Sequence, residues 1–430
     1  MFSKIGLSLL CIQATRSFRL PSRQAKCFRA LSIAMNQMRR VSEVDTPSLL
    51  LDLDAFQNNC QRMDEMTAKL GLQLRPHAKS HKSAEIGRMQ TALSNCVGLC
   101  VSKVDEAEAV IKGGVKDVLI TNEIVALLKI EKIIRLLDMC DQLSVCCDNK
   151  KNAAQLNIAN QSSGKKLGIY IEVDVGQGRC GVTPGDACAD LIEYIQKECT
   201  TLELRGLQCY SGWNQHVKDV PTRINRTQEV VDKVEKSVLS ILQRGLLTVE
   251  EISRLEITGS GTGTWNLESN IPFSSPELAA IKDKRRSAFT ELQPGSYAFM
   301  DNEYGQTEPC EATEGHFRQS LFVLTTVMSD ASAHPKWLVV DAGDKAIHPG
   351  NAAIKIDGYP ELSYRRGGDE HGIIEGPEDV LAQACFEIGK TLKLVPGHCD
   401  PTINFFEEFY GYRGEMVDRI ITIDARGPGR

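Results

Sequence analysis

The feature that most constrains the fold is an alternation, from Thr46 onward, of short apolar runs with longer segments whose apolar residues recur at helical spacing. Strands joined through helices pair in parallel, because each helix carries the chain back to the edge where the previous strand began. Eight such strands predict an α/β fold with a closed (β/α)8 TIM barrel, and a doubly wound open sheet is the alternative. The strands are predicted at residues 48–53, 72–75, 97–101, 118–120, 143–147, 167–173, 202–208 and 254–257. The helices are predicted at residues 55–70, 83–93, 104–112, 124–139, 152–160, 187–197 and 228–244.

Beyond about residue 290, apolar runs follow one another without helical spacers, which is typical of a β-rich domain. Strands are predicted at residues 317–328, 337–341, 363–364, 372–375, 391–394, 411–413 and 416–423, with one helix at 378–386. We therefore expect three parts: a leader at 1–42, a barrel at 43–295 and a mainly antiparallel β domain at 296–430.

Composition excludes several classes of protein. The chain has 430 residues, with 50 lysines and arginines against 56 aspartates and glutamates, so it lacks the positive excess of a nucleic-acid-binding protein. No run of 18 apolar residues occurs, and we therefore expect no membrane span. The 15 cysteines are scattered rather than paired, which indicates reduced thiols in an intracellular protein.

The first 42 residues contain no aspartate or glutamate but carry eight lysines and arginines among several serines. Such a composition predicts an organelle transit peptide, directing the protein to a mitochondrion or a plastid. The alternatives are an unstructured arm, or a start at Met35 or Met38 that leaves a cytoplasmic enzyme.

The segment Arg75-Pro76-His77-Ala78-Lys79-Ser80-His81-Lys82 follows the second predicted strand and brings five basic or titratable side chains together. We expect the neighbouring positive charges to lower the pKa of Lys79. A lysine that is partly neutral near pH 7 suits Schiff-base chemistry. The alternative is a basic loop that binds phosphate or nucleic acid.

Three further predicted strands end in unusual loops. Arg179 lies in a glycine-rich loop, where its side chain could hold a carboxylate, a phosphate or a ring nitrogen, or could simply be a surface arginine. The segment Cys209-Tyr210-Ser211-Gly212-Trp213-Asn214-Gln215-His216 suits a flat ligand, or else a packed pair of aromatic rings. The segment Thr258-Gly259-Ser260-Gly261-Thr262-Gly263-Thr264 offers backbone N–H groups and hydroxyls to a phosphate.

The predicted β domain contains the segment Pro396-Gly397-His398-Cys399-Asp400-Pro401-Thr402. In an extended segment, alternate side chains point the same way, so His398 and Asp400 could grip one divalent cation. An incidental pairing is the alternative. A second small cluster, Asp369-Glu370-His371, could equally be a solvated turn.

Five segments in order carry a family resemblance: Thr46-Pro47-Ser48-Leu49-Leu50-Leu51-Asp52, Arg75-Pro76-His77-Ala78-Lys79, Gly178-Arg179-Cys180-Gly181, Gly259-Ser260-Gly261-Thr262 and Pro396-Gly397-His398-Cys399-Asp400-Pro401-Thr402. Together they resemble the D-threonine aldolase and D-serine dehydratase family, with the aldolases closest. These are pyridoxal phosphate enzymes of the alanine racemase fold type. The resemblance spans roughly Thr46 to Arg426 and implies a barrel followed by a β domain, pyridoxal 5'-phosphate and a divalent metal.

The resemblance also implies roles for individual residues. Lys79 would carry the cofactor covalently, and Arg179 would contact the ring and keep its nitrogen unprotonated. His398 and Asp400 would hold the metal, which is expected to be Mn, with Mg, Zn or Co as alternatives. His216 is a candidate general base. The other expected cofactor contacts are His77, Gln208, Tyr210, Thr258, Gly259, Ser260, Gly261 and Thr262.

The implied reaction cleaves D-threonine and related D-β-hydroxy amino acids to glycine and an aldehyde. The alternative is a dehydratase that converts D-serine or 3-hydroxy-D-aspartate to a 2-keto acid and ammonia. An aspartate at position 400 favours the aldolase, because a carboxylate is a harder ligand than a thiolate and suits Mn or Mg better. A carrier without turnover would not need the β domain, and a racemase would not need the metal pair. The resemblance also implies a homodimer, since barrels of this type complete their sites with a neighbour's β domain.

Overall fold

The computed structural model describes residues 39–307, 317–427 and 429. Among these residues, nine strands precede residue 300: β1 (Ser48–Asp52), β2 (Gln73–Leu74), β3 (Leu99–Val101), β4 (Asp117–Glu123), β5 (Gln142–Cys147), β6 (Leu167–Glu172), β7 (Leu202–Cys209), β8 (Glu256–Gly259) and β9 (Glu291–Leu292). Further along lie β10 (Leu321–Ser329), β11 (Trp337–Val340), β12 (Lys355–Ile356), β13 (Ser363–Arg366), β14 (Gly372–Glu375), β15 (Thr391–Val395), β16 (Glu408–Arg413) and β17 (Met416–Thr422). The strands β3, β5 and β6 are apolar along most of their length because helices or barrel residues cover both of their faces.

Helices form where the apolar residues recur every three to four positions. The longer ones are α1 (Leu53–Lys69), α2 (Ala84–Thr91), α3 (Val104–Lys112), α4 (Leu127–Leu137), α5 (Lys150–Ala159), α6 (Asp186–Glu198), α7 (Val220–Gln243) and α8 (Val249–Arg254). Short helices are α9 (Trp265–Glu268), α10 (Ala279–Lys282), α11 (Asn302–Gly305), α12 (Glu378–Leu381) and α13 (Cys399–Ile403). The start of α1 is fixed by Asp52, whose carboxylate accepts the backbone N–H groups of Asp54 and Ala55 at 3.0 and 2.9 Å. Within the described residues, no helix combines the length and apolar character needed to cross a membrane.

Eight strands form one parallel sheet in the order β2-β9-β8-β7-β6-β5-β4-β3. Isolated parallel bridges join Leu74 to Cys96 and His77 to Cys100, and these bridges link the first and last strands of that order. The sheet therefore curls round on itself, with helices outside it, as the alternation of strands and helices predicted. The predicted TIM-type α/β fold is confirmed, and the open doubly wound alternative is not adopted.

The membership of the barrel differs from the prediction at one strand. We expected residues 48–53 to form its first strand, but β1 pairs antiparallel with β10 and parallel with β16 in the other sheet. Its place is taken by β9, which has only two residues and pairs with β2 and β8. Such a strand is too short to show a periodic pattern, and the buried Glu291 in it does not look like a barrel residue in isolation.

The second sheet is mainly antiparallel, as predicted, and follows the order β13-β14-β11-β10-β1-β16-β17, with β15 pairing with β10 and β12. Its parallel pair is β1 with β16, and β1 comes from the amino-terminal part of the chain. Leu49, Leu50 and Leu51 of β1 are fully buried between its neighbours. The two sheets are therefore joined by a strand from one end of the sequence inserted among strands from the other end.

The predicted transit peptide lies almost entirely outside the described residues. Its last residues are described and belong to the fold: Arg40 bridges Met416, and the N–H of Val41 donates to the carbonyl of Glu415 at 2.8 Å. The folded part of the chain thus begins before residue 43. The targeting role of the leader stays a prediction, as does the division of the chain into domains.

Candidate active site

The carboxyl ends of the barrel strands surround a cavity of about 360 Å³, which we call the central pocket. Eight predicted site residues line it: His77, Lys79, Arg179, Gln208, Tyr210, Gly261, Thr262 and Asp400. Five others lie outside its lining: His216, Thr258, Gly259, Ser260 and His398. Asp400 is the member that comes from the C-terminal part of the chain, so the pocket is built where the two sheets meet.

Lys79 lies on a 3-10 turn, Ala78–Ser80, that follows β2. The imidazole of His77 accepts the Lys79 backbone N–H at 3.4 Å and begins this turn. The Lys79 ammonium donates to Asp400 Oδ2 at 2.7 Å. This carboxylate raises the pKa of Lys79 well above its usual value, so our expectation of a lowered pKa was wrong.

The predicted lowering of the Lys79 pKa failed because the basic side chains of the 75–82 segment point in different directions. Arg75 turns into the barrel, where its side chain pairs with Glu291 at 2.8 Å and with Asp117 at 2.6 Å. Lys82 turns away and donates to Asn404 Oδ1 at 2.9 Å. Charges close in sequence are therefore separated or neutralised in space, and Lys79 faces an acid rather than a group of cations.

His77 and Arg179 lie on the pocket wall. His77 Nε2 is 3.0 Å from Thr121 Oγ1, and burial, with Lys79 nearby, lowers the pKa of His77 well below its usual value. The guanidinium of Arg179 lies 3.7 Å from the carboxylate of Glu172, which ends β6. Burial and the adjacent Glu123 raise the pKa of Glu172 to about 8. Arg179 thus has a close acidic partner while its exposed side chain remains able to contact a ligand.

Gln208 lies near the end of β7 and Tyr210 directly follows that strand, and both residues line the central pocket. The amides of Gln208 and Gln293 bond reciprocally, at 3.1 and 2.9 Å, which fixes their orientation. Burial raises the pKa of Tyr210, so its hydroxyl stays protonated and able to donate. Gln293 was not predicted, because it follows the short strand β9 that sequence periodicity did not reveal.

The glycine-rich segment 258–264 divides into two parts. Thr258 and Gly259 belong to the strand itself: Thr258 Oγ1 donates to Glu291 Oε1 at 2.8 Å inside the barrel, and a Cβ at Gly259 would lie 2.5 Å from the carbonyl oxygen of Cys209. A direct side-chain contact with a cofactor is therefore not supported for these two residues. Their place in the strand instead sets where the loop begins.

The following residues do form a cradle. Ser260 has a φ of 73°, a left-handed conformation that turns the chain sharply out of the strand. The N–H groups of Gly261 and Thr262 have no hydrogen-bond partner among the described residues, and both residues line the pocket. Unpaired backbone N–H groups beside a glycine fit a phosphate group.

His398 lies just before α13, and Asp400 lies in the first turn of that helix. The segment is therefore not extended, and our reason for placing these two side chains together was wrong. His398 Nδ1 is 3.1 Å from Asp301 Oδ2, and Asp400 Oδ1 accepts the Ser296 hydroxyl at 3.3 Å. Burial alone would raise the pKa of Asp400, but Lys79 and His398 outweigh it and hold that pKa below its usual range.

Asp301 and Glu303 surround His398 and were missed by the sequence reasoning. Ligand atoms of Asp301, His398 and Cys399 lie within 4.8 Å of one another. However, Asp301 Oδ2 also accepts the Cys399 backbone N–H at 2.8 Å, so this oxygen is already engaged by two donors. With Nδ1 of His398 directed to Asp301, Nε2 is the ring nitrogen left for a metal, and the nitrogen and carboxylate donor set of His398 and Asp400 fits a divalent cation.

His216 lies beside His398 rather than in the pocket lining. Its ring centroid is 4.7 Å from that of Tyr304 and 6.3 Å from that of His398, and its Nδ1 is 3.8 Å from Glu303 Oε2. Burial lowers the pKa of His216, which favours the neutral imidazole that a base requires. The structure therefore brings the predicted base close to the predicted metal ligand.

Comparison with known proteins gives matches along most of the chain. The alanine racemase N-terminal domain family matches residues 51–246, and the serine dehydratase domain family matches residues 320–412. The 3-hydroxy-D-aspartate aldolase of Paracoccus denitrificans is 36% identical over 391 residues, covering 90% of this chain and 94% of the relative. The chain belongs to the D-threonine aldolase and D-serine dehydratase family.

Other members of this family are similar along nearly their whole length. The D-threonine aldolase of an Arthrobacter species is 37% identical over 392 residues, covering 91% of this chain and 95% of that protein. The crystal structure of D-threonine aldolase from Filomicrobium marinum superposes with a TM-score of 0.81 at 33% identity, covering 91% of this chain and 99% of that one. The D-threo-3-hydroxyaspartate dehydratase of a Delftia species is only 25% identical over 376 residues. As a member of this family, the chain is a lyase of the pyridoxal phosphate-dependent class.

Proposed function

We propose that the protein cleaves D-threonine and related D-β-hydroxy amino acids to glycine and an aldehyde, with a divalent metal as activator. The observation that carries the proposal is the 2.7 Å contact between Lys79 Nζ and Asp400 Oδ2. Among the described residues, Lys79 is the only lysine that lines the pocket, and its ammonium lies directly beside the carboxylate of the predicted metal pair. An amine for covalent attachment of the cofactor and a metal site for the substrate hydroxyl are thus neighbours.

The described residues fit both pyridoxal phosphate and a metal ion. Lys79 would hold the aldehyde carbon, Arg179 the ring, and the N–H groups of Gly261 and Thr262 the phosphate. The bound cofactor supplies an electron sink for the charge left on the α carbon. His398 and Asp400 would hold the metal, which supplies a Lewis acid for the β-hydroxyl of the substrate.

The side chains around the metal pair explain how the hydroxyl proton would leave. Asp301 accepts the Nδ1 proton of His398 and so holds the imidazole in one tautomer. His216, neutral because of its burial, would accept the hydroxyl proton at Nε2, the ring atom not turned toward Glu303. Loss of that proton and rupture of the Cα–Cβ bond release the aldehyde.

Dehydration is the second candidate, because both reactions use the same lysine and the same metal position. Two features favour the aldolase. The relatives that share 36 and 37% of their residues with this chain are aldolases, whereas the Delftia dehydratase shares 25%. Position 400 also holds a carboxylate rather than a thiolate, which suits a hard cation such as Mn. The homodimer implied by the family remains part of this proposal.

Product analysis tests the proposal. Purified full-length protein is incubated with pyridoxal phosphate, Mn and D-threonine, and acetaldehyde and glycine are measured. D-Serine and 3-hydroxy-D-aspartate are tested in parallel for keto acid and ammonia. Formation of keto acid without aldehyde from this panel would replace the aldolase by the dehydratase. A protein that takes up no pyridoxal phosphate would contradict both functions.

A further inference from the structure

The loops that follow β7 and β8 are joined by a buried polar network. Gln215 Oε1 accepts the N–H of Gly263 at 3.0 Å, and Gln215 Nε2 donates to Thr264 Oγ1 at 2.8 Å. Thr264 Oγ1 in turn donates to Glu268 Oε2 at 2.8 Å, and Ser211 Oγ donates to Glu268 Oε1 at 3.4 Å. The side chains of Ser211, Gln215, Thr264 and Glu268 are all fully buried. None of these four residues lines the central pocket, so the network lies behind the cradle.

The network also determines the path of the cradle backbone. A Cβ at Gly261 would collide with the side-chain amide of Gln215, and a Cβ at Gly263 would collide with the Gln215 carbonyl. The backbone of residues 261–263 therefore packs directly on Gln215, with no side chain between them. Because the adjoining Ser260 already has a left-handed backbone, this segment depends on outside contacts to keep its shape.

We propose that Gln215 and Glu268 are positioning residues that hold the 260–264 backbone in the shape that receives the phosphate of the cofactor. The inference rests on the proposed pyridoxal phosphate-dependent function. Neither side chain touches the pocket, and each acts through the loop: Gln215 through Gly263 and Thr264, and Glu268 through Thr264 and Ser211. Donors that are already in place need no rearrangement when the anion arrives, so they bind it more strongly.

The protonation of Glu268 agrees with this role. Its carboxyl is completely buried, and burial raises its pKa to about 7, partly offset by hydrogen bonds from Ser260, Thr264 and Ser211. No cationic side chain pairs with it among the described residues. A carboxyl that becomes neutral near pH 7 holds the loop by hydrogen bonds without repelling a phosphate on the other side.

The test compares two ligands that differ only in the phosphate: pyridoxal phosphate and pyridoxal. Dissociation constants are measured by absorbance titration of the full-length protein freed of bound cofactor. In Gln215→Ala and Glu268→Ala, we expect the affinity for pyridoxal phosphate to fall by about tenfold or more, with the affinity for pyridoxal unchanged. The ratio of the two dissociation constants isolates the contribution of the phosphate, because general damage to the fold weakens the binding of both ligands.

Two variants serve as matched controls. Asn214→Ala removes an equally buried amide from the same loop, but Asn214 bonds to Arg223 and Thr227 of α7 rather than to the cradle, so the ratio should stay at its wild-type value. Glu268→Gln keeps one acceptor oxygen for the Thr264 hydroxyl and replaces the other by an N–H donor, which the Ser211 hydroxyl can accept by rotating, so this variant should retain the wild-type ratio. Gln215→Met, which preserves side-chain length, replaces the alanine variant if that variant does not fold.

The outcomes separate this inference from the proposed function. If the wild-type protein binds pyridoxal phosphate and both alanine variants keep the wild-type ratio, the positioning role is refuted while the function stands. If the wild-type protein takes up neither ligand, the proposed function fails and the inference falls with it. A selective loss of affinity for pyridoxal phosphate in the alanine variants, together with wild-type affinity in Glu268→Gln, supports the inference.

Discussion

Different kinds of contact stabilise the two ends of the central pocket, which are the lysine end around Lys79 and the cradle end around residues 260–264. At the lysine end, Lys79, which follows β2, forms an ion pair with Asp400 of the C-terminal part of the chain, and His398 hydrogen-bonds to Asp301. At the cradle end, loops of one sheet are joined by hydrogen bonds of the Gln215 amide and of the Glu268 carboxyl, whose pKa burial raises to about 7.

This difference indicates which end of the pocket must change its contacts during a reaction. In the proposed function, Asp400 exchanges the Lys79 ammonium for another partner when the amine is used or a metal binds, and both side chains line the pocket, where a ligand can reach them. At the cradle end, the side chains of Gln215, Thr264 and Glu268 are buried, and a buried donor or acceptor that loses its hydrogen-bond partner costs free energy. We therefore expect substitutions at the lysine end to abolish chemistry, and substitutions in the buried interior to alter stability and shape.

The largest effect is expected for Lys79→Ala. Loss of the amine should remove the visible absorbance band of the cofactor-loaded protein and lower cleavage of D-threonine by about 10⁴-fold or more. Lys82→Ala is the matched control, because Lys82 belongs to the same segment but bonds to Asn404. Borohydride reduction followed by peptide mapping should label Lys79; a label on another lysine would contradict the assignment.

The next largest effect concerns the charge buried inside the barrel. Arg75→Met leaves Glu291 and Asp117 without their cation and should destabilise the protein by about 3–5 kcal/mol, measured by urea unfolding at pH 7. The exposed pair Arg366 and Asp344 offers a control, since Arg366→Met should change stability by less than about 1 kcal/mol. Equal effects of the two variants would refute the contrast between interior and surface.

Glu268→Gln should reveal the pH dependence of the cradle end. The folded-state pKa of about 7 exceeds the usual 4.5, so Glu268 stabilises the protein only while protonated, and its charged form costs stability as pH rises from 4.5 through 7. The variant should therefore gain up to about 3 kcal/mol relative to wild type between pH 4.5 and pH 8. Urea unfolding at the two pH values measures this, with the exposed Glu203→Gln as control. A difference that does not vary with pH would disprove the assigned titration.

The smallest effect is expected at Asp301. In Asp301→Asn, the Nδ1 proton of His398 loses its anionic acceptor, and the affinity for Mn should fall by about 10–100-fold. Mn binding is measured by calorimetry, and the cofactor band should persist. Asp341→Asn is the control, because Asp341 is bonded to Thr325 and Thr326 of β10. Unchanged Mn affinity in Asp301→Asn would show that this carboxylate does not orient the metal ligand.

Periodicity predicted most of the fold, and its failures have a physical cause. The helix at 104–112 was predicted with the bounds of α3, because its apolar face follows the helical repeat closely. The run at 48–53 was assigned to the wrong sheet, since an apolar strand does not reveal its partners. The two-residue β9 was missed because it is shorter than any period.

At the site, motifs indicated residues that line the central pocket, whereas the sequence did not predict the roles of the residues that support them from outside the pocket. Lys79, Arg179 and Asp400 stand in recognisable segments and line the pocket. Asp301 and Gln293 lie in segments without a motif, and Gln215 lies in a segment that indicated only a flat ligand. The roles of all three depend on hydrogen bonds that join distant parts of the chain. Their identities therefore emerge only once the strands and loops are placed in space.

The sequence by itself determined the alternating architecture, the family and many of the side chains that line the central pocket, because these follow from local periodicity and from short contiguous motifs. Only the tertiary structure decided the electrostatics of those side chains. Lys79 looked like one of a row of cations, yet folding turns Arg75 inward to Glu291 and brings Asp400, more than 300 positions away, to the lysine instead. The pKa of a group depends on its neighbours in space, and distance along the chain does not specify them.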